Sequence, residues 1–253
     1  MKKLLYLLPV MLILLTGCKT KENLGYFHNN TPVAEQVVTR ANWQLKIEPG
    51  DELSVYINTE LPELTATFNL PDRETDTKSY FVDKQGYINL PKVGKVKAEG
   101  LTTTQLAEEV TRRVAEFAEA PTVRVELLNF KVSVLGEVQK PAVIKVPTER
   151  MTVLEALSEA GDLTVFGRRD NVTLIREEGG EVTYHRLDLS DGDLIKSPYY
   201  YLQQNDVIYV EPNDARRDQA EYSVNNSYKI QVVSAIISGA SVIASLVIAL
   251  AVK

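Results

Sequence analysis

The chain has 253 residues, 44% of them hydrophobic and 25% charged, a balance that suits folded domains rather than a disordered tail. Lys and Arg number 28 against 34 Asp and Glu, and an acidic chain is a poor holder of nucleic-acid phosphates. One cysteine excludes an intrachain disulfide, and the two histidines, His28 and His185, stand far outside metal-ligand spacing.

Residues 1–17 read as a secretory leader. Lys2 and Lys3 form its basic start, residues 4–15 its apolar core, and Thr16-Gly17 the small residues before cleavage. The apolar run is too short to span a bilayer unaided. Leu15-Thr16-Gly17-Cys18 matches the bacterial lipobox, which predicts cleavage before Cys18 and lipid on its thiol. A free buried thiol is the plainer alternative. Residues 18–42 are polar and predict a tether, with Tyr26-Phe27 as an apolar exception able to dock on the body.

A first α+β unit is predicted over residues 43–128. Leu45 and Ile47 alternate up to a Pro49-Gly50-Asp51 turn, in which Asp51 reads as a turn-capping acceptor rather than a catalytic acid. Leu53, Val55 and Ile57 alternate as a half-buried strand. Residues 59–78, with Pro62 and Pro71, predict a long loop. Tyr87, Ile88 and Leu90, then Val93 and Val96, predict a hairpin between the turn-makers Gly86, Pro91 and Gly94. Thr102-x-x-Gln105 fits a capping box. Leu106, Val110, Val114 and Phe117 fall on one helical face, ended by Pro121. Val123, Val125 and Leu127 form a strand.

A second α+β unit is predicted over residues 130–212. Val132, Val134, Val143 and Ile144 lie in strands, and Thr152-x-x-Glu155 is another capping box, opening a short helix ended by Gly161. Residues 171–176 and 182–187 are strands joined through Glu178-Gly179-Gly180. Residues 207–210 form the last strand, closed by Pro212.

Residues 213–227 predict a polar linker, and residues 228–253 a membrane-spanning helix. Residues 230–252 hold no charge and would form about 35 Å of helix, against a hydrocarbon core of about 30 Å. Gln231, Ser234, Ser238, Ser241 and Ser245 recur at spacings of three and four and occupy an arc of about 80°. Small hydroxylated residues allow close helix approach or line water. The alternative is a simple anchor whose serines bond their own backbone.

Asp83-x-x-Gly86-x-Ile88-x-Leu90-Pro91-x-x-Gly94, followed by Gly100-Leu101-Thr102, resembles the signature of the bacterial polysaccharide biosynthesis/export family, the Wza-type outer-membrane lipoproteins. Leu45-x-Ile47-x-Pro49-Gly50-Asp51-x-Leu53 resembles the opening of its export domain. The second unit resembles the SLBB module, a β-grasp unit, through residues 134–138, Pro141, residues 152–161, Arg176, Leu202 and residues 206–210. It departs at Ala142 and Asp162, two turn positions where glycine is usual.

The resemblance implies an export domain, one SLBB module and a transmembrane helix. It further implies a ring of eight copies on the outer membrane with a periplasmic body. The final helices of the ring would line or seal a pore with Gln231, Ser234, Ser238, Ser241 and Ser245. Polysaccharide would be the cargo. An inner-membrane polysaccharide co-polymerase, often a tyrosine autokinase, would be the partner, and membrane lipid the anchor's medium. The rival reading is an anchored saccharide-binding or scaffold module without a channel. No phosphate loop or nucleophile motif is present, so no catalytic residue, cofactor or metal is expected. Tyr199-Tyr200-Tyr201 could stack on sugar rings, although packing is the commoner use of such a cluster.

Overall fold

A computed structural model of the chain describes residues 24–29, 43–69 and 79–251. The expected leader and Cys18 lie outside the described residues. The fold is mixed α+β with two hydrophobic cores.

The first core is built by β1 (Glu52–Asn58), α1 (Pro62–Phe68), β2 (Ser79–Phe81), β3 (Tyr87–Leu90), β4 (Gly94–Lys97), α2 (Thr103–Val114) and β5 (Thr122–Leu127). Strands β2-β1-β5 form an antiparallel sheet, and β3-β4 form a separate hairpin. Period-two alternation sends Leu53, Val55 and Ile57 inward while Tyr56 points to solvent. Helix α2 adds Leu106, Val110 and Val114 to the same core. Its capping box is complete. The Gln105 amide donates to Thr102 Oγ1 at 3.2 Å, and the Thr102 amide donates to Gln105 Oε1 at 3.0 Å.

Two expectations here need correction. Residues 62–68 of the predicted loop form α1, opened by Pro62 at a position where its missing amide proton costs nothing. Helix α2 stops at Val114, so Phe117 is not on its buried face. Phe117 is exposed and meets the edge of Phe68, with ring centroids 6.4 Å apart.

The second core is built by β6 (Lys131–Gly136), β7 (Ala142–Lys145), α3 (Val153–Glu159), β8 (Gly167–Glu178), β9 (Glu181–Leu187) and β10 (Val207–Pro212). The sheet order is β7-β6-β10-β8-β9, with β10 parallel to β6 and every other pair antiparallel. Val132, Val134, Leu174 and Ile208 face α3, which buries Val153, Ala156 and Leu157 against them. This helix also has a complete capping box, from Thr152 and Glu155.

Asn129 joins the two units. Its Oδ1 accepts from the Glu52 amide at 3.0 Å, and its own carbonyl accepts from Gln204 Nε2 at 2.8 Å. The entering chain crosses both: Leu45 packs on the second core and Ile47 lies within the first. Trp43 stacks on Tyr201, with centroids 5.2 Å apart.

The last element, α4 (Asp214–Ala251), is a helix of 38 residues. It begins where a linker was predicted over 213–227. Polarity alone does not break a helix, and no Gly or Pro interrupts residues 214–227.

Candidate functional site on the carboxyl-terminal helix

Helix α4 is fixed at its root. Asn213 caps it: its Oδ1 accepts the Arg216 amide at 3.1 Å, and its own amide donates to the Phe166 carbonyl at 2.7 Å. Arg216 Nε donates to Glu137 Oε1 at 3.0 Å, and the guanidinium sits 5.5 Å from the centre of the Phe166 ring. Glu137 is held in turn by Thr164 Oγ1 at 2.9 Å. The helix thus leaves the second unit on a defined heading, in direct continuation of β10.

Gln231, Ser234, Ser238, Ser241 and Ser245 all lie on this helix and are exposed. Three of the hydroxyls donate to their own helix: Ser234 to the Gln231 carbonyl at 2.9 Å, Ser241 to Ile237 at 2.8 Å, and Ser245 to Ser241 at 2.9 Å. Large aliphatic side chains beside them are also exposed, with Ile236 at 65%, Ile237 at 61% and Ile243 at 66%. Among the described residues no helix is long and apolar enough to cross a membrane. The side chains of residues 230, 244 and 246–252, on which the predicted charge-free run depends, lie outside those described.

Residues 24–29 dock on the second unit, where Tyr26-Phe27 was expected to touch the body. The Phe27 amide donates to the Leu189 carbonyl at 3.2 Å and the Asn29 amide to that of Ser190 at 3.1 Å. Tyr26 donates its hydroxyl to Asp162 Oδ1, and burial, followed by that bond, pushes its phenol well above the usual range. Asp162 holds φ 71°, so the turn that usually takes glycine is made here by a residue that tolerates it.

Near the junction, Asp51 closes its turn as expected. Its Oδ2 accepts the Glu48 amide at 2.9 Å. Burial raises the carboxyls of both Asp51 and Glu48, and for Glu48 the charges of Asp51, Glu178 and Asp206 add to the effect. The tyrosine cluster is occupied by protein: Tyr201 by Trp43, Arg150 and Tyr200, and Tyr199 by Arg176 and by His185, which stacks at 3.6 Å. His185 is therefore half-buried. Arg176 and Asp206 were each part of the SLBB resemblance, but their pairing across 30 residues has no local signal in the sequence. Among the described residues no group of three His, Cys, Asp or Glu is placed to hold a metal ion.

The polysaccharide biosynthesis/export protein family matches residues 39–128, and the SLBB domain family matches residues 131–185. Together these cover more than half of the chain, in the order of the two cores. The chain belongs to the polysaccharide biosynthesis/export family. Its members named among the relatives are export proteins, not enzymes. The EPS I polysaccharide export outer membrane protein EpsA of Ralstonia solanacearum is 26% identical over 193 residues, 71% of this chain and 51% of that protein. Its counterpart in Ralstonia nicotianae is 26% identical over 182 residues, 66% of this chain and 47% of that one. The exopolysaccharide production protein ExoF of Rhizobium meliloti is 32% identical over 111 residues, 42% of this chain and 25% of that protein. The chain spans about half the length of the two Ralstonia relatives. The family's export domain corresponds to the first core, and its SLBB domain to β6 through most of β9.

Proposed function

We propose that this chain is an outer-membrane lipoprotein for the export of exopolysaccharide or capsule. Lipid on Cys18 would anchor it, and a ring of eight copies would place both domains in the periplasm. The helices over residues 228–253 would cross the membrane as a barrel-shaped pore. Gln231, Ser234, Ser238, Ser241 and Ser245 would line or seal that pore, which passes polymer with no covalent step. Force would come from synthesis and from an inner-membrane co-polymerase, often a tyrosine autokinase. The names of the Ralstonia relatives support the export reading.

One observation carries the proposal: α4 runs for 38 residues, about 57 Å, with large aliphatic side chains exposed along it. Such a rod is at ease only in lipid or against other helices. The serines' bonds to their own helix favour the second reading, a saccharide-binding or scaffold lipoprotein with a plain anchor. The test is the pair Ser238→Leu and Ser241→Leu in the full lipidated chain. A pore loses surface polysaccharide while lipidation and domain folding persist. Unchanged export favours the scaffold.

A further inference from the structure

We infer that the open face of the β3-β4 hairpin is a binding site for a carboxylate-bearing polysaccharide; this deepens the export reading above and rests on it. Residues 84–97 hold four lysines, Lys84, Lys92, Lys95 and Lys97, and no acid, in a chain of net charge −6. All four are exposed. Among the described residues Lys84, Lys92 and Lys95 join no ion pair, and Lys97 joins one, to Glu99 at 2.5 Å. Positive charge gathered in one place on an acidic protein is complementary to an anion.

The strand register decides which anion. Tyr87 pairs with Lys97 and Asn89 with Lys95, and these four share the outward face. Ile88, Leu90 and Val96 alternate with them and are buried. Lys95 and Lys97 thus stand two strand residues apart, about 7 Å, beside an amide and a phenol ring. Tyr87 is 37% exposed, and Lys97 Nζ lies 5.0 Å from the centre of its ring. Cations answer carboxylates, the amide answers hydroxyls, and the ring offers a platform for the apolar side of a sugar. A lipid surface asks for apolar side chains to enter it, and the outward strand positions hold no aliphatic one.

The surface continues past Lys97. An open groove of about 470 Å³ runs between β4 and α2, lined by Lys97, Leu101, Gln105, Glu108, Glu109 and Arg112. That volume is in the range of small-ligand sites. Arg112 and Arg113 both bond Glu109, which leaves Glu108 as the groove's one unpaired acid. Arg113 also donates to the Lys95 carbonyl at 2.8 Å and so fixes the hairpin to the helix. At the margin, Asp83 Oδ1 is taken up by the amides of Gln85 and Tyr87, each at 2.9 Å.

The test uses the full lipidated chain in neutral detergent and compares binding of tetragalacturonate with that of maltotetraose, a neutral tetrasaccharide. The acidic probe should bind at least about tenfold more tightly, and less so as salt rises. Lys92→Gln, Lys95→Gln and Lys97→Gln together should remove most of that preference while thermal unfolding stays unchanged. If that variant misfolds, carbodiimide decides on the unmodified chain: it should join the bound carboxylate to Lys84, Lys92, Lys95 or Lys97. Four results each overturn the site: equal binding of both probes, a preference the variant fully retains, coupling elsewhere, or displacement of the acidic probe by micelles containing phosphatidylglycerol. Export is read separately, as surface polysaccharide restored by the unmodified chain to cells that lack it. Restored export without the acidic preference overturns the site and leaves the export reading standing. Export that is not restored overturns that reading.

Discussion

Arg176 grips Asp206 with two bonds, Nε to Oδ1 at 3.0 Å and Nη2 to Oδ2 at 2.7 Å, and their side chains are only 6% and 0% exposed. The same guanidinium donates to the Tyr201 carbonyl at 3.0 Å, and the Gln203 amide donates to Asp206 Oδ2 at 2.7 Å. Burial pushes the Asp206 carboxyl up, and these donors pull it back. The pair locks the loop before β10 onto β8, and so fixes the strand from which α4 departs. Arg176→Met leaves an uncompensated buried carboxylate and should cost about 3–5 kcal/mol in denaturant unfolding. Arg176→Met with Asp206→Leu should recover most of that loss. A double variant as weak as the single one would mean that the pair contributes through packing rather than charge.

Asp51 is buried as well, but its donors are the Glu48 amide and the Gln204 side chain rather than a guanidinium. It is 2% exposed, and burial raises its carboxyl above the ordinary range despite bonds from the Glu48 amide and the Gln204 side chain. A raised carboxyl binds its proton better folded than unfolded. Its stabilisation is therefore complete below its unfolded pKa, about 4, and is lost as pH rises through the folded value. Glu48 is raised too and acts in the same direction. Asp51→Asn removes the charge while keeping an oxygen acceptor. The Tm of the wild type relative to Asp51→Asn should fall as pH goes from about 4 to about 7. A difference independent of pH would show that Asp51 ionises as freely in the fold as outside it.

Gly136 ends β6 at φ +91°, and a Cβ there would lie 2.1 Å from the Val210 carbonyl oxygen. Gly94 has a similar φ, +80°, with nothing within 4 Å of an added Cβ. Gly94→Ala should cost about 1 kcal/mol, the strain of the left-handed backbone alone. Gly136→Ala must also push β10 away from β6, and should cost at least about twice as much. Equal losses in thermal or denaturant unfolding would mean that the two strands yield without cost.

What was legible in the sequence was local. The alternation of Leu53, Val55 and Ile57, and the boxes Thr102–Gln105 and Thr152–Glu155, each need only neighbours within a few residues, and each appears as written. Helix α1 was not legible because it has only seven residues, and its two core contacts, Leu64 and Phe68, are too few to stand out as a periodic stripe. The start of α4 was missed for a related reason: its charged first turns project from the body and follow no core-facing stripe. The Arg176–Asp206 pair and the Asn129 junction are tertiary, made by residues that no spacing rule links. On the candidate site, the serine stripe could be located in sequence, but the bonds from Ser234, Ser241 and Ser245 to their own backbone could not.

The amino-terminal strap gives the last prediction. Cys18 stands eight positions before Tyr26, so a lipid there lies at most about 28 Å from the Tyr26 clasp. The clasp partner Asp162 and the α4 anchor Phe166 belong to one short loop, so the strap and the helix root are held by the same piece of backbone. Tyr26 is the half-buried residue of the strap, with Arg169 at 5.8 Å over its ring, whereas Phe27 and Asn29 are exposed and hold on by two backbone bonds and by the Asn29 side-chain amide, which donates to Ser190 Oγ. Tyr26→Ala should therefore release those two bonds while leaving the core intact. Amide exchange at Phe27 and Asn29 should rise at least about tenfold, with Leu174 unchanged. If both strap amides stay protected, the bonds to Leu189 and Ser190 suffice without the phenol and Tyr26 is not the clasp.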